Sequence, residues 1–191
     1  MGKLSGKVAV VTGGSKGIGA SIAEHLAGEG ASVVVNYANS KAGAEAVVAR
    51  IKDKGGNAIA VQGDVGRPED IKRPFAETRR NHGKVDILVN NAGTYEFASV
   101  EAITPEHIQK HFTLNVAAVL LATQAAVNLM APNGGSIINI GSIVGRRVTQ
   151  AWRPRVIEPS YRAPAELSLF LHTRTSSIHV LKILIRSISF R

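Results

Sequence analysis

Glycines cluster near the start of the sequence, in a segment whose residue types suit phosphate binding. Residues 12–19 read Thr-Gly-Gly-Ser-Lys-Gly-Ile-Gly and directly follow a short valine-rich run. Glycines at a strand-to-helix turn let the backbone approach a ligand closely, and the free N–H groups at the start of the helix attract phosphate. Because strand and helix patterns flank it, the segment predicts a dinucleotide-binding loop, with an ordinary glycine turn as the alternative.

Four further polar sites follow apolar runs or lie within a helical pattern. Asp64 follows a third apolar run, and Asn90-Asn91-Ala92-Gly93 closes a fourth. Asn115 lies in a long helical pattern, and Ser142 follows a fifth apolar run.

The elements that position these residues alternate short apolar runs with longer helical patterns, which is typical of βαβ units and a parallel sheet. One long helix is expected from Thr104 to about Met130. The prediction is an α/β fold with a Rossmann-like doubly wound parallel sheet, complete through about strand five. The expected strands cover residues 7–12, 33–35, 58–62, 85–90 and 136–140.

The motifs T-G-x-x-x-G-x-G, N-N-A-G, the helix asparagine and the serine occur in this order over residues 4–145. Together they resemble the short-chain dehydrogenase/reductase family, and their sequence is most similar to its 3-oxoacyl-(acyl-carrier-protein) reductase and glucose 1-dehydrogenase-like branch. The resemblance implies an NADP-dependent oxidoreductase that reduces a carbonyl by hydride transfer from the reduced cofactor, NADPH. A 3-oxoacyl thioester, or a sugar or polyol oxidised in reverse, is the implied substrate, and a homo-oligomer is the implied assembly.

The resemblance also implies a role for each matching residue. Ser142 would hydrogen-bond the substrate carbonyl, and Asn115 would position a water in the proton relay. Asp64 and Val65 would flank the adenine. Asn90 would chiefly tie neighbouring strands together. The other implied cofactor-binding residues lie in the glycine loop and after the fourth strand: Gly13, Ser15, Lys16, Gly17, Ile18, Gly19, Asn91, Ala92 and Gly93.

The charge at the end of the second strand favours NADP over NAD. A carboxylate at this place would hold the ribose 2′-hydroxyl and repel a 2′-phosphate. The sequence has no Asp or Glu there, and Lys16 adds a cation nearby. The residues expected around the 2′-phosphate at this strand end are Asn36, Tyr37, Asn39 and Ser40.

The sequence departs from the family pattern at its central acid. The family's tyrosine lies thirteen residues after the serine, with a lysine four residues later that lowers the tyrosine pKa. Here these positions hold Arg155 and Pro159, and Tyr161 has no lysine four residues on. Turnover by this chain is therefore expected to be impaired. The alternative is a catalytically inactive nucleotide-binding or interaction protein with a basic tail.

The composition changes abruptly after Gly145. All 19 glycines lie before Arg146, and residues 146–191 hold nine Lys and Arg against two Asp and Glu. We therefore divide the chain into a dinucleotide-binding domain, residues 1–145, and a non-matching, irregular basic tail, residues 146–191. The expected origin of the tail is truncation or a shifted reading frame, and loss of the last strands would expose a sheet edge. A basic membrane-surface segment over 178–190 and non-specific nucleic-acid binding are weaker alternatives.

Composition excludes several other classes of protein. The chain has no cysteine, which excludes disulfides, thiolate metal sites and cysteine nucleophiles. No apolar run is long enough to span a bilayer and no signal-peptide pattern is visible, so a cytoplasmic protein is expected. No metal site is predicted, and His107 and His111 are expected to face solvent. The expected partner is a small-molecule carbonyl or alcohol.

Overall fold

Six strands form one parallel sheet in the computed structural model, which describes residues 2–96, 98–130, 134–142 and 178–185. The order of the strands is β3-β2-β1-β4-β5-β6. The chain reverses its direction across the sheet between β1 and β4, as in a Rossmann-like doubly wound fold, so the predicted fold class is confirmed. The strands are β1 (Val8–Val11), β2 (Ser32–Tyr37), β3 (Asn57–Gln62), β4 (Ile87–Asn90), β5 (Gly135–Ser142) and β6 (Ile178–Ile185).

Helices cover both faces of the sheet and bury alternate strand residues on each. Ala9 and Val11 of β1 pack on the face that carries the first two helices, whereas Val10 packs on the other. Strands buried on both faces explain the near-continuous valine runs that marked them in the sequence. The helices are α1 (Gly17–Gly28), α2 (Lys41–Asp53), α3 (Pro68–His82), α4 (Pro105–Phe112) and α5 (Ala118–Val127).

The long helix predicted from Thr104 to about Met130 is interrupted. A π-helical turn, Thr113–Ala117, separates α4 from α5, and α5 ends at Val127. The start is as predicted, since the Thr104 hydroxyl accepts the His107 N–H at 3.2 Å. π-Turns add one residue to a helical turn and are frequent at functional sites. This one contains Asn115.

The prediction of an irregular tail is wrong over Ile178–Ile185, which forms β6. All eight residues pair in parallel with β5, from Gly135–Ile178 to Ser142–Ile185. The edge of β5 offers unpaired backbone groups, and a run rich in β-branched residues suits that edge better than a membrane-surface helix. Within the part of the chain that the structure describes, no helix is long and apolar enough to cross a bilayer.

Asp86 joins the starts of β1 and β4 at the edge opposite the predicted site. Its carboxylate accepts the Val8 N–H at 2.9 Å and contacts the ammonium groups of Lys7 and Lys84 at 3.2 and 3.0 Å. Burial alone would raise the pKa of Asp86, whose side chain is 12% exposed. The hydrogen bonds from Lys84, Val8 and Lys7 outweigh burial and lower this pKa below its ordinary value.

Asp86→Asn is expected to destabilise the fold by about 1–3 kcal/mol at pH 7, because the charged hydrogen bonds are lost. A lowered folded-state pKa stabilises the fold above the unfolded value, and this contribution is lost as pH falls through the folded value. The free energy of unfolding, measured by urea denaturation, should therefore differ less between pH 7 and pH 3 for the variant than for the wild type. Asp53→Asn, at an exposed helix end, is the control. If both variants lose the same amount of unfolding free energy, the hydrogen bonds of Asp86 do not stabilise the fold.

Candidate functional site

The predicted site residues meet at the carboxyl edge of the sheet. The glycine loop follows β1, and the segments that carry Asn39, Asp64 and Asn91 follow β2, β3 and β4. Ser142 is the last residue of β5. In doubly wound sheets, ligands bind at this edge where the strand order reverses, here between β1 and β4.

The loop between β1 and α1 is shaped by glycines. Gly13 and Gly17 have φ angles of 62° and 56°, which residues with a Cβ rarely adopt. Gly19 is buried where the helix meets the loop. A Cβ added there would lie 2.4 Å from Nδ2 of Asn91 and 2.5 Å from the carbonyl oxygen of Gly13. Only glycine therefore lets the start of α1 approach the segment after β4 so closely.

The start of α1 keeps its N–H groups available to an anion. Lys16 precedes the helix and makes no side-chain hydrogen bond to the first turn, and that turn holds no acidic residue. Lys16 and Ile18 are exposed, and Ser15 is half-buried. A helix N-terminus with unpaired N–H groups and an adjacent lysine suits a phosphate.

The Thr12 hydroxyl joins the glycine loop to the segment after β4. It accepts the N–H groups of Asn91 and Ala92 at 3.0 and 3.1 Å and donates to the Val89 carbonyl at 3.3 Å. The Asn91 amide returns two hydrogen bonds, to the carbonyls of Thr12 and Gly13 at 3.0 and 3.1 Å. Thr12 is 2% exposed. The two halves of the predicted cofactor site thus form one hydrogen-bonded unit.

Asp64 and Val65 follow β3, where the adenine contacts were predicted. One carboxylate oxygen of Asp64 accepts the Gly66 N–H at 2.9 Å, and the other lies 3.9 Å from Nε of Arg67. Val65 is buried in the apolar cluster on the α3 side of the sheet. The carboxylate thus shapes the turn and is half-buried, with acceptor capacity left for an amine.

The end of β2 divides its four predicted residues into two kinds. Asn36 is 1% exposed. Its side-chain amide donates to the backbone carbonyls of Val61 and Gly63, and its backbone carbonyl accepts the Gly14 N–H at 2.8 Å. Tyr37 is likewise buried. Both residues are therefore part of the buried structure at the end of β2 and do not offer their side chains to a ligand. The two exposed members, which a ligand can reach, are Asn39 and Ser40.

The segment after β4 contacts the π-helical turn directly. Asn115 accepts the Thr94 N–H at 3.0 Å and donates to the Thr94 carbonyl at 2.8 Å. Its amide oxygen would lie 3.2 Å from a Cβ at Gly93. The Asn90 amide donates to the Asn139 side chain at 2.9 Å, which confirms the predicted tie between neighbouring strands. Asn115 is thereby placed beside the predicted nicotinamide contacts.

The residues at the expected tyrosine and lysine positions, Arg155 and Pro159, lie outside the described residues, as does Tyr161. Ser142 ends β5 and Asn115 lies in the π-helical turn, and their catalytic roles stay predictions.

A cavity of about 420 Å3 opens next to Asn115, between α4 and the segment after β4. His107 and His111 line it, stacked with ring centroids 4.5 Å apart. The expectation that both face solvent is wrong, since both are half-buried, and His111 is also hydrogen-bonded at both ring nitrogens. Sequence reasoning missed this residue and the bridging role of Thr12. The one usable signal was the spacing of His111 and Asn115, four residues apart on one helical pattern.

Comparison with known proteins identifies the family of this arrangement. The sequence model of the short chain dehydrogenase family matches residues 7–154. An uncharacterized oxidoreductase of Methylorubrum extorquens is 57% identical over 144 residues, which cover 75% of this chain and 58% of that protein. The tetrahydroxynaphthalene reductase of Pyricularia oryzae is 43% identical over 75% of this chain and 50% of its own length.

Solved structures match the same region. A short chain dehydrogenase from Burkholderia cenocepacia in complex with NADP superposes with a TM-score of 0.74 at 42% identity, over 78% of this chain and 60% of that one. A blue fluorescent protein from a metagenomic library in complex with NADPH gives 0.73 at 40% identity, over 77% and 60%. The chain thus spans between 50% and 60% of the length of these proteins. On these matches, the chain belongs to the short chain dehydrogenase family.

Proposed function

We propose that this chain binds NADP at the carboxyl edge of its sheet. The observation that carries the proposal is the close approach of Gly19 to Asn91, because it leaves the start of α1 uncovered beside the segment after β4. Gly13, Gly17 and Ser15 would hold the phosphates, Asp64 and Val65 the adenine, and Asn91 to Gly93 the nicotinamide side. The complexes with NADP and NADPH among similar structures support this cofactor.

The charge around the end of β2 supports NADP rather than NAD. Ser40 comes close to the glycine loop, since a Cβ at Gly43 would lie 2.6 Å from the Ser40 hydroxyl and 2.8 Å from the Ser15 carbonyl. The exposed residues beside this point, Lys16 and Asn39, are cationic and neutral. A 2′-phosphate would thus meet hydrogen-bond donors and a lysine without a carboxylate to repel it.

The chemistry implied by the family is reduction of a carbonyl to an alcohol, or the reverse. A bound NADPH would supply the hydride. Asn115 and Thr94 would order the segment beside the reacting carbon, and Ser142 would donate a hydrogen bond to the carbonyl oxygen. A 3-oxoacyl thioester and a sugar or polyol remain the proposed substrates, while relatives named as tetrahydroxynaphthalene and versicolorin reductases support compounds of those two kinds as further candidates.

Turnover is proposed to be impaired in this chain, because Arg155 and Pro159 cannot replace a tyrosine and its lysine. A guanidinium stays protonated and proline carries no side-chain proton. The second candidate function is therefore a catalytically inactive nucleotide-binding or interaction protein. The division at residue 145, a cytoplasmic location and a homo-oligomer stay predictions, and the family match itself reaches residue 154.

The test compares NADPH and NADH binding to the full chain by fluorescence titration, followed by NADPH oxidation with a panel of carbonyl substrates. We expect NADPH to bind about tenfold more tightly than NADH, as expected when a lysine and neutral donors meet the 2′-phosphate. We expect no oxidation above the blank. Equal affinities would overturn the NADP assignment, and measurable turnover would overturn the impaired state.

A matched pair of variants tests whether the 2′-phosphate binds at the end of β2. Asn39→Asp adds a carboxylate at the end of β2 and is expected to weaken NADPH binding by about tenfold without weakening NADH binding, because the carboxylate can hold the ribose 2′-hydroxyl. Asn128→Asp makes the same charge change at an exposed position just after α5 and should alter neither affinity. If both variants weaken NADPH binding equally, the effect arises from overall charge and not from this strand end.

A further inference from the structure

The backbone of the segment after β4 is hydrogen-bonded to two side chains of the helical region, Asn115 and His111, which are four residues apart. Asn115 exchanges two hydrogen bonds with the backbone of Thr94. Two residues further on, the Glu96 N–H donates to Nε2 of His111 at 2.9 Å. Residues 91–96 include the proposed nicotinamide contacts, so both attachments fix the backbone that would face the cofactor.

The partners of His111 determine which of its ring nitrogens carries the proton. A backbone N–H can only donate, so Nε2 must be an unprotonated acceptor toward Glu96. The other ring nitrogen, Nδ1, lies 2.7 Å from the His107 carbonyl, which can only accept, so Nδ1 must carry the hydrogen. The arrangement therefore requires the neutral imidazole with its proton on Nδ1.

The charged neighbours of this imidazole come from both elements that meet here. Glu96 on the segment after β4 forms an ion pair with Lys110 on α4. This hydrogen bond from Lys110 is the main cause that lowers the pKa of Glu96. His107 stacks on the His111 ring from the preceding helical turn. The carboxylate of Glu96 is thus already paired, and a charged His111 ring would face a second imidazole and a donating N–H.

We propose that His111 is a positioning residue that holds the segment after β4 only while its imidazole is neutral. Protonation at Nε2 replaces the acceptor with a second donor, so the Glu96 N–H loses its hydrogen bond, and the segment keeps only its contacts with Asn115 and Lys110 on the helical side. Histidine as a residue type has its ordinary pKa nearest to physiological pH, so pH is the variable that tests this attachment. Its bearing on the cofactor rests on the proposed function.

The attachment itself is tested without cofactor, by amide hydrogen exchange of Glu96 in the full chain at pH 8 and pH 5. Dividing each rate by its intrinsic rate at the same pH removes the ordinary pH effect. We expect protection of the Glu96 amide to fall about tenfold at pH 5, in line with the loss of one hydrogen bond. The ¹⁵N shifts of His111 should show the proton on Nδ1 at pH 8. Unchanged protection, or a proton on Nε2, would overturn the proposal.

Three variants separate the role of His111 from general effects. His111→Gln keeps an acceptor that does not titrate, so protection of the Glu96 amide should persist at pH 5. His111→Phe removes the acceptor, and protection should be low at both values. His107→Gln removes the neighbouring imidazole but keeps the backbone carbonyl, so the wild-type pH dependence should remain. Loss of that dependence in His107→Gln, or its survival in His111→Gln, would assign the effect elsewhere.

The consequence for the cofactor is read from NADPH affinity at the same two pH values. The wild type should weaken about tenfold more than His111→Gln between pH 8 and pH 5. Titration of the 2′-phosphate contributes equally to both proteins. Equal weakening would overturn the coupling between this segment and the cofactor. If NADPH binds neither protein, the proposed function fails, and the exchange of the Glu96 amide still decides the role of His111.

Discussion

Gly19→Ala is expected to raise the Kd for NADPH by about 100-fold, which corresponds to about 2.7 kcal/mol. The added Cβ would lie 2.4 Å from Nδ2 of Asn91 and 2.5 Å from the Gly13 carbonyl oxygen, closer than real Cβ atoms come. Relief requires the start of α1 to move away from the segment after β4. That movement breaks the hydrogen bonds from Asn91 to Thr12 and Gly13 and spreads the phosphate-binding backbone. Fluorescence titration with NADPH measures the loss.

The matched control for this change lies at the other end of the same helix. Gly28 ends α1, and a Cβ added there meets nothing within 4 Å. Gly28→Ala should therefore leave NADPH binding unchanged and stabilise the fold slightly, because alanine loses less backbone entropy than glycine. Far-UV circular dichroism checks that Gly19→Ala is folded. An intact Gly19→Ala variant that binds NADPH within threefold of the wild type would show that the loop does not need this close approach.

Thr12→Val is expected to cost about 2–4 kcal/mol of unfolding free energy and to weaken NADPH binding by about tenfold or more. Valine keeps the shape of threonine but leaves the N–H groups of Asn91 and Ala92 without their acceptor at a site that is 2% exposed. Each buried donor left without a partner costs about 1–3 kcal/mol. Urea denaturation measures the loss of stability, and titration with NADPH measures the loss of affinity.

Thr12→Ser separates the hydroxyl from the methyl group. Serine can still accept both N–H groups, so only the cost of a lost methyl, about 1 kcal/mol, is expected, with NADPH affinity close to that of the wild type. If only the shape of the side chain mattered, Thr12→Val would be more stable than Thr12→Ser, because valine keeps the branched shape of threonine. If valine is the more stable variant, the hydroxyl bridge between the two halves of the site contributes nothing to the fold.

Most of the fold could be predicted because its signals are local. Valine-rich runs marked β1 and β2, and glycines marked the turns that follow α1 and α2. The π-helical turn could not be predicted, since Thr113–Ala117 reads as ordinary helix and its hydrogen bonds depend on contacts made by Asn115. The composition of a basic, glycine-free segment does not predict β6, because its pairing depends on the free edge of β5.

The candidate site shows the same division. The glycine loop and the residues after β3 and β4 could be located from motifs, and the structure brings them to one edge. The inward amide of Asn36 and the hydroxyl of Thr12 could not be foreseen, because each role depends on a backbone partner 25 or more residues away. The same holds for His111, whose acceptor role requires Glu96 to turn back toward α4. Composition and spacing carry no information on such contacts between residues that are distant in the sequence.

The bridge between Thr12 and Asn91 also bears on how the chain folds. These residues are 79 positions apart, so the glycine loop acquires its final neighbours only when β4 has docked beside β1. Contacts of such sequence separation require a large loop to close and form slowly compared with local helix contacts. During synthesis, the first strand, its loop and its helix emerge well before β4. Completion of the proposed nucleotide site is therefore a late event in folding, and an amino-terminal piece that ends before β4 lacks the contacts that join the glycine loop to the segment after β4.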